Sequence, residues 1–400
     1  MADAFRRMEE MGDVEGKRVL VRVDFNIPLD PATGRIMDDS RIQGSLPTLV
    51  RLLEQKARVI AISHRGRPSK PNTQDSLEPV ADYLRDHLPF PVHFVSDILS
   101  PQVAQASRDL KPGELLILEN LRFHPGEKTN SREFAKFLSD LADIYVNDAF
   151  GTAHREDASI VGIPELLPAY AGMLMARELD ALNRILTHPD RPYWAIIGGA
   201  KVSDKVKLLG RLLELVDGLV IGGGMANTFL SAQGYDMGRS LVEPAALDTA
   251  KELLVMAHTQ SIPVILPTDV IVAKKFAKDA SWRRIQVQDI ETDDMALDIG
   301  PMTVHKITES LSSAKTILWN GPMGVFEFDA FAEGTLAVAR ELARLSAAVV
   351  VGGGDSVAAV NKAGVKDRLT HISTGGGATL RYLEGEDLPG VRALKHAVRK

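Results

Sequence analysis

The hydrophobic pattern of the chain is a repeat. Short runs of Val, Ile and Leu recur, each followed by a stretch of helical periodicity. The runs are VLVRVDFN at 19–26, VIAISH at 59–64, LLILEN at 115–120, IYVNDAF at 144–150, WAIIGG at 194–199 and LVIGGG at 219–224. They continue with PVILPTD at 263–269, ILWNGP at 317–322, VVVGGG at 349–354 and HISTGGG at 371–377. Runs without polar alternation predict strands covered on both faces, as in parallel sheets. Strands alternating with helical patterns predict repeated βαβ units. The expected fold class is α/β, doubly wound. The strands fall into two groups separated by 167–186, where Met175, Leu179, Leu182 and Leu186 recur at helical spacing and Arg177, Glu178 and Asp180 lie off that stripe. That segment reads as an interdomain connector or as one more covering helix; periodicity alone does not separate the two.

At 400 residues, 45% hydrophobic and 25% charged, the composition is that of a globular protein with material for two sizeable cores. The formal net charge of −6 argues against nucleic-acid and lipid-headgroup partners. Any anionic ligand must therefore meet a local basic cluster. With no cysteine in the chain, disulfides, thiolate nucleophiles, Cys-ligated zinc and iron–sulfur clusters are excluded. The N-terminal MADAFRRMEEMGDVEGKR lacks the apolar core of a signal peptide, and no apolar run reaches transmembrane length, so a cytoplasmic protein is expected.

The residues that follow each run differ between the halves. In the first half they are cationic: Arg22, His64, Arg65, Arg67, Arg122, His154 and Arg155. In the second half they are glycines: Gly198-Gly199, Gly222 to Gly224, Gly352 to Gly354 and Gly375 to Gly377. Open α/β sheets bind ligands beyond the carboxyl ends of their strands. The first half thus suits a compact, highly anionic molecule, and the second suits phosphates cradled by backbone N–H groups at helix starts.

Single motifs each allow a structural and a functional reading. Strand alternation places Arg22, Asp24 and Asn26 on one face and Val21, Val23 and Phe25 on the other. The polar face suits hydroxyl and carboxylate recognition, or forms a buried structural Arg–Asp pair. His64 and Arg67 share a glycine-flexed loop, and Arg gives bidentate contacts to phosphate or carboxylate. Arg41 lies in a polar stretch before an apolar helix. In 198–205, Ser203 suits a helix N-cap with Lys205 on a solvated first turn, yet a Lys at a helix start opposes the macrodipole and so suggests an anion there. The chain has no Walker A loop. At 349–359 a dinucleotide fingerprint fails, because Val357 stands at the third glycine position. Asp355 is an N-cap or a carboxylate reaching magnesium on a nucleotide phosphate. Gly375, Gly376 and Gly377 form a tight turn or an N–H cradle for a transferring phosphoryl group. Glu327 suits ribose hydroxyls, while Phe326 and Phe328 read as core residues.

Together the stretches RVDFNIP, SHRGRP, ENLRFHPGE, VNDAFGTAHR, IGGAKVSDK, GGGMANTF, LDIGP, WNGPMGVFE, GGGDS and STGGGA resemble the phosphoglycerate kinase family in order and spacing, over nearly the whole chain. The resemblance implies two Rossmann-like lobes around a hinge helix: a phosphoglycerate-binding domain at 1–170, a hinge at 171–187 and a nucleotide-binding domain at 188–383. It also implies a C-terminal tail, 384–400, that returns to the first lobe. It implies that Asp24, Phe25, Asn26, Arg41, His64, Arg65, Gly66, Arg67, Arg122 and Arg155 hold 3-phosphoglycerate or 1,3-bisphosphoglycerate, with Arg41 reaching the transferred phosphoryl. Lys201, Lys205, Asn320, Glu327, Gly353, Gly354, Asp355 and Ser356 would hold ADP or ATP, with Asp355 toward Mg2+. Arg41, Lys205, Gly375, Gly376 and Gly377 would support the transition state. The family implies a glycolytic kinase acting as a monomer. One departure is Asp157, where the family often has His; it is expected to point away from the ligand.

That chemistry needs no general base, because the group that attacks ATP in the reverse direction is a carboxylate, ionised at neutral pH. Phosphoryl transfer asks for alignment, charge stabilisation and exclusion of water, which favours closure of two lobes. The rival readings are a nicotinamide-dependent oxidoreductase, opposed by the imperfect fingerprint, and a non-catalytic derivative of the kinase, opposed by the presence of Arg41, Lys205 and Asp355.

Overall fold

The computed structural model describes residues 5–98 and 100–398. Residues 1–4 of the first expected domain and 399–400 of the expected tail lie outside the described residues. The chain divides into two compact units, Met1–Asp180 with Asp387–Lys400, and Ala181–Glu386.

The first unit is built on strands β1 (Arg18–Arg22), β2 (Arg58–Ile62), β3 (Val92–Val95), β4 (Leu115–Leu118), β5 (Ile144–Asn147) and β6 (Ala169–Ala171). They form one parallel sheet in the order β3-β4-β2-β1-β5-β6. The central strand β1 pairs Val21 with Ala61 on one side and with Val146 on the other. Val19, Leu20, Val21, Val59, Ile60 and Ala61 are fully buried, which is why these runs carry no alternation. The expected run at 19–26 leaves the sheet after Arg22, so Asp24 and Asn26 stand on a loop rather than on a strand face. The loop is fixed by side chains: Phe25 N donates to Ser63 Oγ (2.9 Å) and Gly66 N to Asn26 Oδ1 (2.9 Å). Helix Ser40–Glu54 buries Ile42, Leu49, Leu52 and Leu53 at helical spacing. Each of these side chains contributes about 1.5–3 kcal/mol, and together they fix the first turn, where Arg41 sits.

The C-terminal helix Pro389–Lys395 lies in this same unit. Gly390 N donates to Ala153 O (2.8 Å), and Arg6 Nη2 donates to Val398 O (2.7 Å). Helix Met173–Thr187 carries the chain out of the first unit. Its first turn is capped by Asp148, whose Oδ1 accepts from Leu174 N (2.8 Å) and Met175 N (3.2 Å). Burial pushes the Asp148 carboxyl up to about 7. The division between the units falls inside this helix, after Asp180.

The second unit contains β7 (Tyr193–Ile197), β8 (Gly218–Ile221), β9 (Val264–Ile265), β10 (Asp269–Ala273), β11 (Trp282–Gln286), β12 (Met295–Ile299), β13 (Thr316–Asn320), β14 (Ala348–Gly352) and β15 (His371–Ile372). Six of these make a parallel sheet in the order β15-β14-β13-β7-β8-β9. The other three form an antiparallel sheet, β11-β10-β12, which the hydrophobic runs do not announce. The run at 263–269 is broken between Ile265 and Asp269, so β9 ends early and Asp269 begins β10. Proline at 267 cannot donate to a ladder, which accounts for the break.

Candidate active site

In the first unit the cationic loops converge at the carboxyl ends of the central strands. His64 follows β2 and is fully buried. Its Nδ1 lies 3.0 Å from Arg22 Nη2 and its Nε2 lies 2.8 Å from Arg155 Nη1. Burial, and then the charges of Arg22, Arg122, Arg155 and Arg41, hold its pKa well below the usual imidazole value. The ring is therefore neutral at pH 7, with one N–H and one acceptor nitrogen. Both of its neighbours are donors, so one contact places donor against donor. Arg122 Nη1 donates to Gly66 O (2.5 Å), while its Nε is buried without a hydrogen-bond partner. Burial lowers the pKa of Arg122 and Arg155 alike, and the two repel each other. Arg41 Nη1 pairs with Asp24 Oδ2 (2.5 Å). Arg22 is fully buried, with Nε donating to Ser159 Oγ (2.9 Å) and Nη1 to Val23 O. Ser159 in turn donates through N (3.0 Å) and Oγ (2.6 Å) to Glu127, a buried carboxylate whose pKa burial raises. Such a crowd of donors with unmatched hydrogens is chemistry for an anion with several oxygens.

Not every expected residue faces this cluster. Phe25 is fully buried in the hydrophobic core beside the sheet, so its side chain supports the loop and does not reach a ligand. Arg65 is a correction of the same kind. Its guanidinium turns inward to the carbonyls of Ile27 (3.3 Å), Ser76 (3.1 Å) and Gln74, which orders the loop that carries His64 and Arg67. Arg67 is exposed, and no hydrogen bond or ion pair among the described residues holds it. Gly66 has φ +63° and a Cβ there would meet Asp75 Oδ1 at 2.0 Å, so this turn admits only glycine. Asp157 does not turn away into solvent. It is 6% exposed, and its charge acts on both Arg122 and Arg155.

In the second unit the loops after β7, β13 and β14 meet. Lys205 N-caps helix Val206–Leu213, but its side chain folds back into the unit and is half-buried. Its Nζ donates to Gly198 O (2.7 Å), Asn320 O (3.1 Å) and Asn320 Oδ1 (2.5 Å). All three acceptors are neutral, and burial draws the ammonium down to about 8, with the charges of Asp355 and Asp204 acting the other way. Ser203 is not the N-cap of that helix; its Oγ donates to Glu243 Oε1 (2.6 Å). Asn320 Nδ2 donates to Gly352 O (2.8 Å), and Ser356 Oγ accepts from Gly321 N (2.6 Å). Helix Gly354–Ala363 is N-capped by Gly353 at φ +93°, so Asp355 is not an N-cap. It stands exposed in the first turn, and no hydrogen bond or ion pair among the described residues engages it. Gly376 N-caps helix Gly377–Leu383 on the loop after β15, and Gly375 N donates to Ser373 Oγ (3.2 Å). Lys201 is exposed.

Beside these loops lies a cavity of about 730 Å3, lined by Gly199, Ala200, Gly223, Gly224, Leu241 and Leu297, with Glu327 and Asp355 also in its wall. Gly223 has φ +68° and a Cβ there would meet Gly199 O at 2.6 Å, so the wall is backbone by necessity. Phe328, expected in the core, packs against the small core cluster of Ala273, Leu297 and Phe331 and also lines the cavity with Phe276, the two rings tilted at a centroid distance of 5.2 Å. Phe326 is a core residue. An apolar slot for a flat base, exposed carboxylates near its mouth and a lysine among glycines fit a nucleotide carrying a divalent cation. Leu241, Leu297 and Phe276 escaped the sequence reading, because isolated apolar residues carry no sign that they line a cavity instead of a core.

In a doubly wound α/β protein, a cluster suited to an anion in one unit and a glycine-walled slot in the other fit a phosphotransferase. The phosphoglycerate kinase family profile matches residues 8–386. Phosphoglycerate kinase of Moorella thermoacetica is 53% identical over 383 residues, covering 96% of this chain and 97% of that protein. The structure of phosphoglycerate kinase from Coxiella burnetii superposes with a TM-score of 0.90 at 40% identity, covering 98% of this chain and 99% of that one. The enzyme from Pyrococcus horikoshii gives 0.83 at 36% identity over 97% of this chain and 98% of that one. The chain belongs to the phosphoglycerate kinase family. Membership removes the nicotinamide-oxidoreductase reading.

Proposed function

We propose the following division of labour for the reaction of this family member, the glycolytic transfer of a phosphoryl group between 1,3-bisphosphoglycerate and MgADP. Asp24, Asn26, Arg41, Arg67, Arg122 and Arg155 hold the glycerate, and His64, buried with both ring nitrogens against Arg22 and Arg155, supports them from behind. Lys201, Lys205, Asn320, Glu327, Gly353 to Ser356 and the cavity walls hold the nucleotide. Asp355, exposed and unengaged, is the carboxylate placed for magnesium, which when bound neutralises phosphate charge. Arg41, Lys205 and the N–H groups of Gly375 to Gly377 stabilise charge on the phosphoryl group in transit.

The observation that carries the reading is His64, buried and neutral between two guanidiniums. The guanidinium hydrogens left unmatched around it suit an anion with several acceptors. In the reverse direction the carboxylate oxygen of 3-phosphoglycerate attacks the γ-phosphorus of ATP while the bond to the β-phosphate oxygen breaks, and no proton need move. His64 therefore acts as a spacer that fixes Arg22 and Arg155, not as a base. We further take the enzyme to work as a cytoplasmic monomer without nucleic-acid or membrane partners, by in-line transfer with closure about helix Met173–Thr187. No helix among the described residues is long and apolar enough to cross a membrane.

A coupled assay with 3-phosphoglycerate and ATP tests the assignment. Arg41→Ala should lower kcat on the order of 10²–10³-fold, the usual loss for one transition-state donor, while MgADP binding stays intact. Turnover within a few fold of the parent enzyme would show that Arg41 does not meet the moving group.

A further inference from the structure

The first unit's site contains a carboxylate for which the transfer chemistry has no use. Asp157 opens the turn Ala158–Gly162, and its backbone carbonyl accepts from Ile160 N (2.9 Å) and Val161 N (3.0 Å). An Asp in that place ordinarily accepts from the backbone of the turn through its side chain. Here the side chain makes no cap hydrogen bond, and Oδ2 is buried without a partner. A buried carboxylate without hydrogen bonds persists only where opposite charge compensates it. That charge comes from Arg122 and Arg155, on which Asp157 acts through space in opposition to burial. Among the described residues it forms no contact ion pair with either. Glu127 is the other buried acid that feels its field. Glu127, which also acts on Arg122, is committed to Ser159, and Asp24, which also acts on Arg155, is paired with Arg41, so Asp157 is the uncommitted acid and the one that acts on both arginines.

We propose that Asp157 is an internal counter-ion of the substrate site, which offsets part of the positive field of Arg122 and Arg155 and so sets the affinity for phosphoglycerate without entering the transfer step. The proposal rests on the assignment of those two arginines to the glycerate substrate. Substrate and Asp157 then share one field. Every bound phosphoglycerate is repelled by a fixed carboxylate that contributes nothing to alignment, and release of that product is hastened by the same repulsion. The arginines gain as well, since two guanidiniums that repel each other need a nearby anion when no ligand is bound.

The experiment compares steady-state kinetics of Asp157→Asn, Asp157→Ser and Asp157→Glu, with calorimetric titration of 3-phosphoglycerate and a thermal melt of each. The two neutral variants should lower KM and Kd for 3-phosphoglycerate roughly five- to tenfold, the effect of removing one like charge at moderate range and partial screening. Their kcat should stay within about twofold and KM for ATP should not move. Asp157→Glu, which keeps the charge, should behave like the parent. Arg122→Ala and Arg155→Ala, measured alongside, should raise KM for 3-phosphoglycerate; if they do not, the assignment of the site itself is wrong. If they do, and a folded neutral variant at 157 leaves that KM unchanged or raises it, the counter-ion role is refuted. Two neutral variants of different size keep the test open should one of them fail to fold.

Discussion

Lys205 makes the nucleotide site a proton acceptor near pH 8. Its ammonium rests on three neutral oxygens, Gly198 O, Asn320 O and Asn320 Oδ1, and burial draws it down to about 8. About half of the ligand-free molecules then carry a neutral amine at pH 8, and about a tenth do so at pH 7. Nucleotide phosphates in the adjoining slot favour the charged form. Binding of MgADP should therefore take up about half a proton at pH 8 and about a tenth at pH 7. The nucleotide's own phosphate has a pKa near 6 and releases almost nothing at pH 8. Titration calorimetry in buffers of different ionisation enthalpy reads this number directly, as the slope of apparent enthalpy against buffer enthalpy. Lys205→Arg keeps its charge at both pH values and should show no uptake. Affinity of the parent for MgADP should weaken above pH 8 as the neutral fraction grows, and that of the Arg variant should not. A slope of zero for the parent at pH 8, or the same slope in Lys205→Arg, would mean that Lys205 does not meet the phosphates.

Two further outcomes follow from burial and capping. Asp355→Ala should weaken MgADP binding while costing less than about 1 kcal/mol of stability, the macrodipole contribution of a first-turn carboxylate, because Gly353 and not Asp355 is the cap; a melt that loses more than this while affinity stays intact would reverse the assignment. Asp298 lines the nucleotide cavity, accepts from Gly334 N (2.7 Å) and Ile299 N (2.9 Å), and is raised by burial to about 8. The folded state thus holds a proton that the unfolded chain loses near the ordinary carboxyl value. The stability this gives is complete below that value and is lost as pH rises toward 8, with a slope of at most about 1.4 kcal/mol per pH unit. Asp298→Asn should flatten the unfolding free energy between pH 5 and 8, and profiles parallel to the parent's would count against a protonated Asp298.

The α/β class was legible because central strands covered on both faces leave an uninterrupted apolar record, as in Val59 to Ile62 of β2. The same rule hides the edges. His93 in β3 and the three residues of β6 are too polar or too short to register, and β11, with Trp282 exposed, does not read as a strand at all. The glycine-ended runs overran their strands, since their last residues belong to the turn after the strand or to the first turn of the next helix, as Gly223, Gly354 and Gly377 do. Among the site residues, charge type was readable and direction was not. Arg65 and Arg67 are two places apart on one loop; one turns to backbone carbonyls and the other to solvent. Lys205 looked like a solvated first-turn residue, and only the fold shows its side chain reaching across to Asn320.

The choice of cation in each unit has a common physical cause. Burial lowers the pKa of His64, Arg122 and Arg155 in the first unit and of Lys205 in the second, and the outcome depends on where each begins. His64 begins near neutrality and loses its charge altogether. A lysine in comparable surroundings, Lys205, is brought to about 8 and becomes sensitive to pH. The guanidiniums of Arg122 and Arg155 are lowered too, but begin so high that they remain charged. A site that must hold a multiply charged acid by desolvated contacts therefore has to be made of arginine if its field is to stay constant. Imidazole can serve there only as a neutral spacer. The second unit escapes this demand in part, because glycine backbone makes up much of the cavity wall and does not titrate. Lys205 brings one pH dependence to this unit, and Asp298, raised to about 8 in the cavity wall, brings a second.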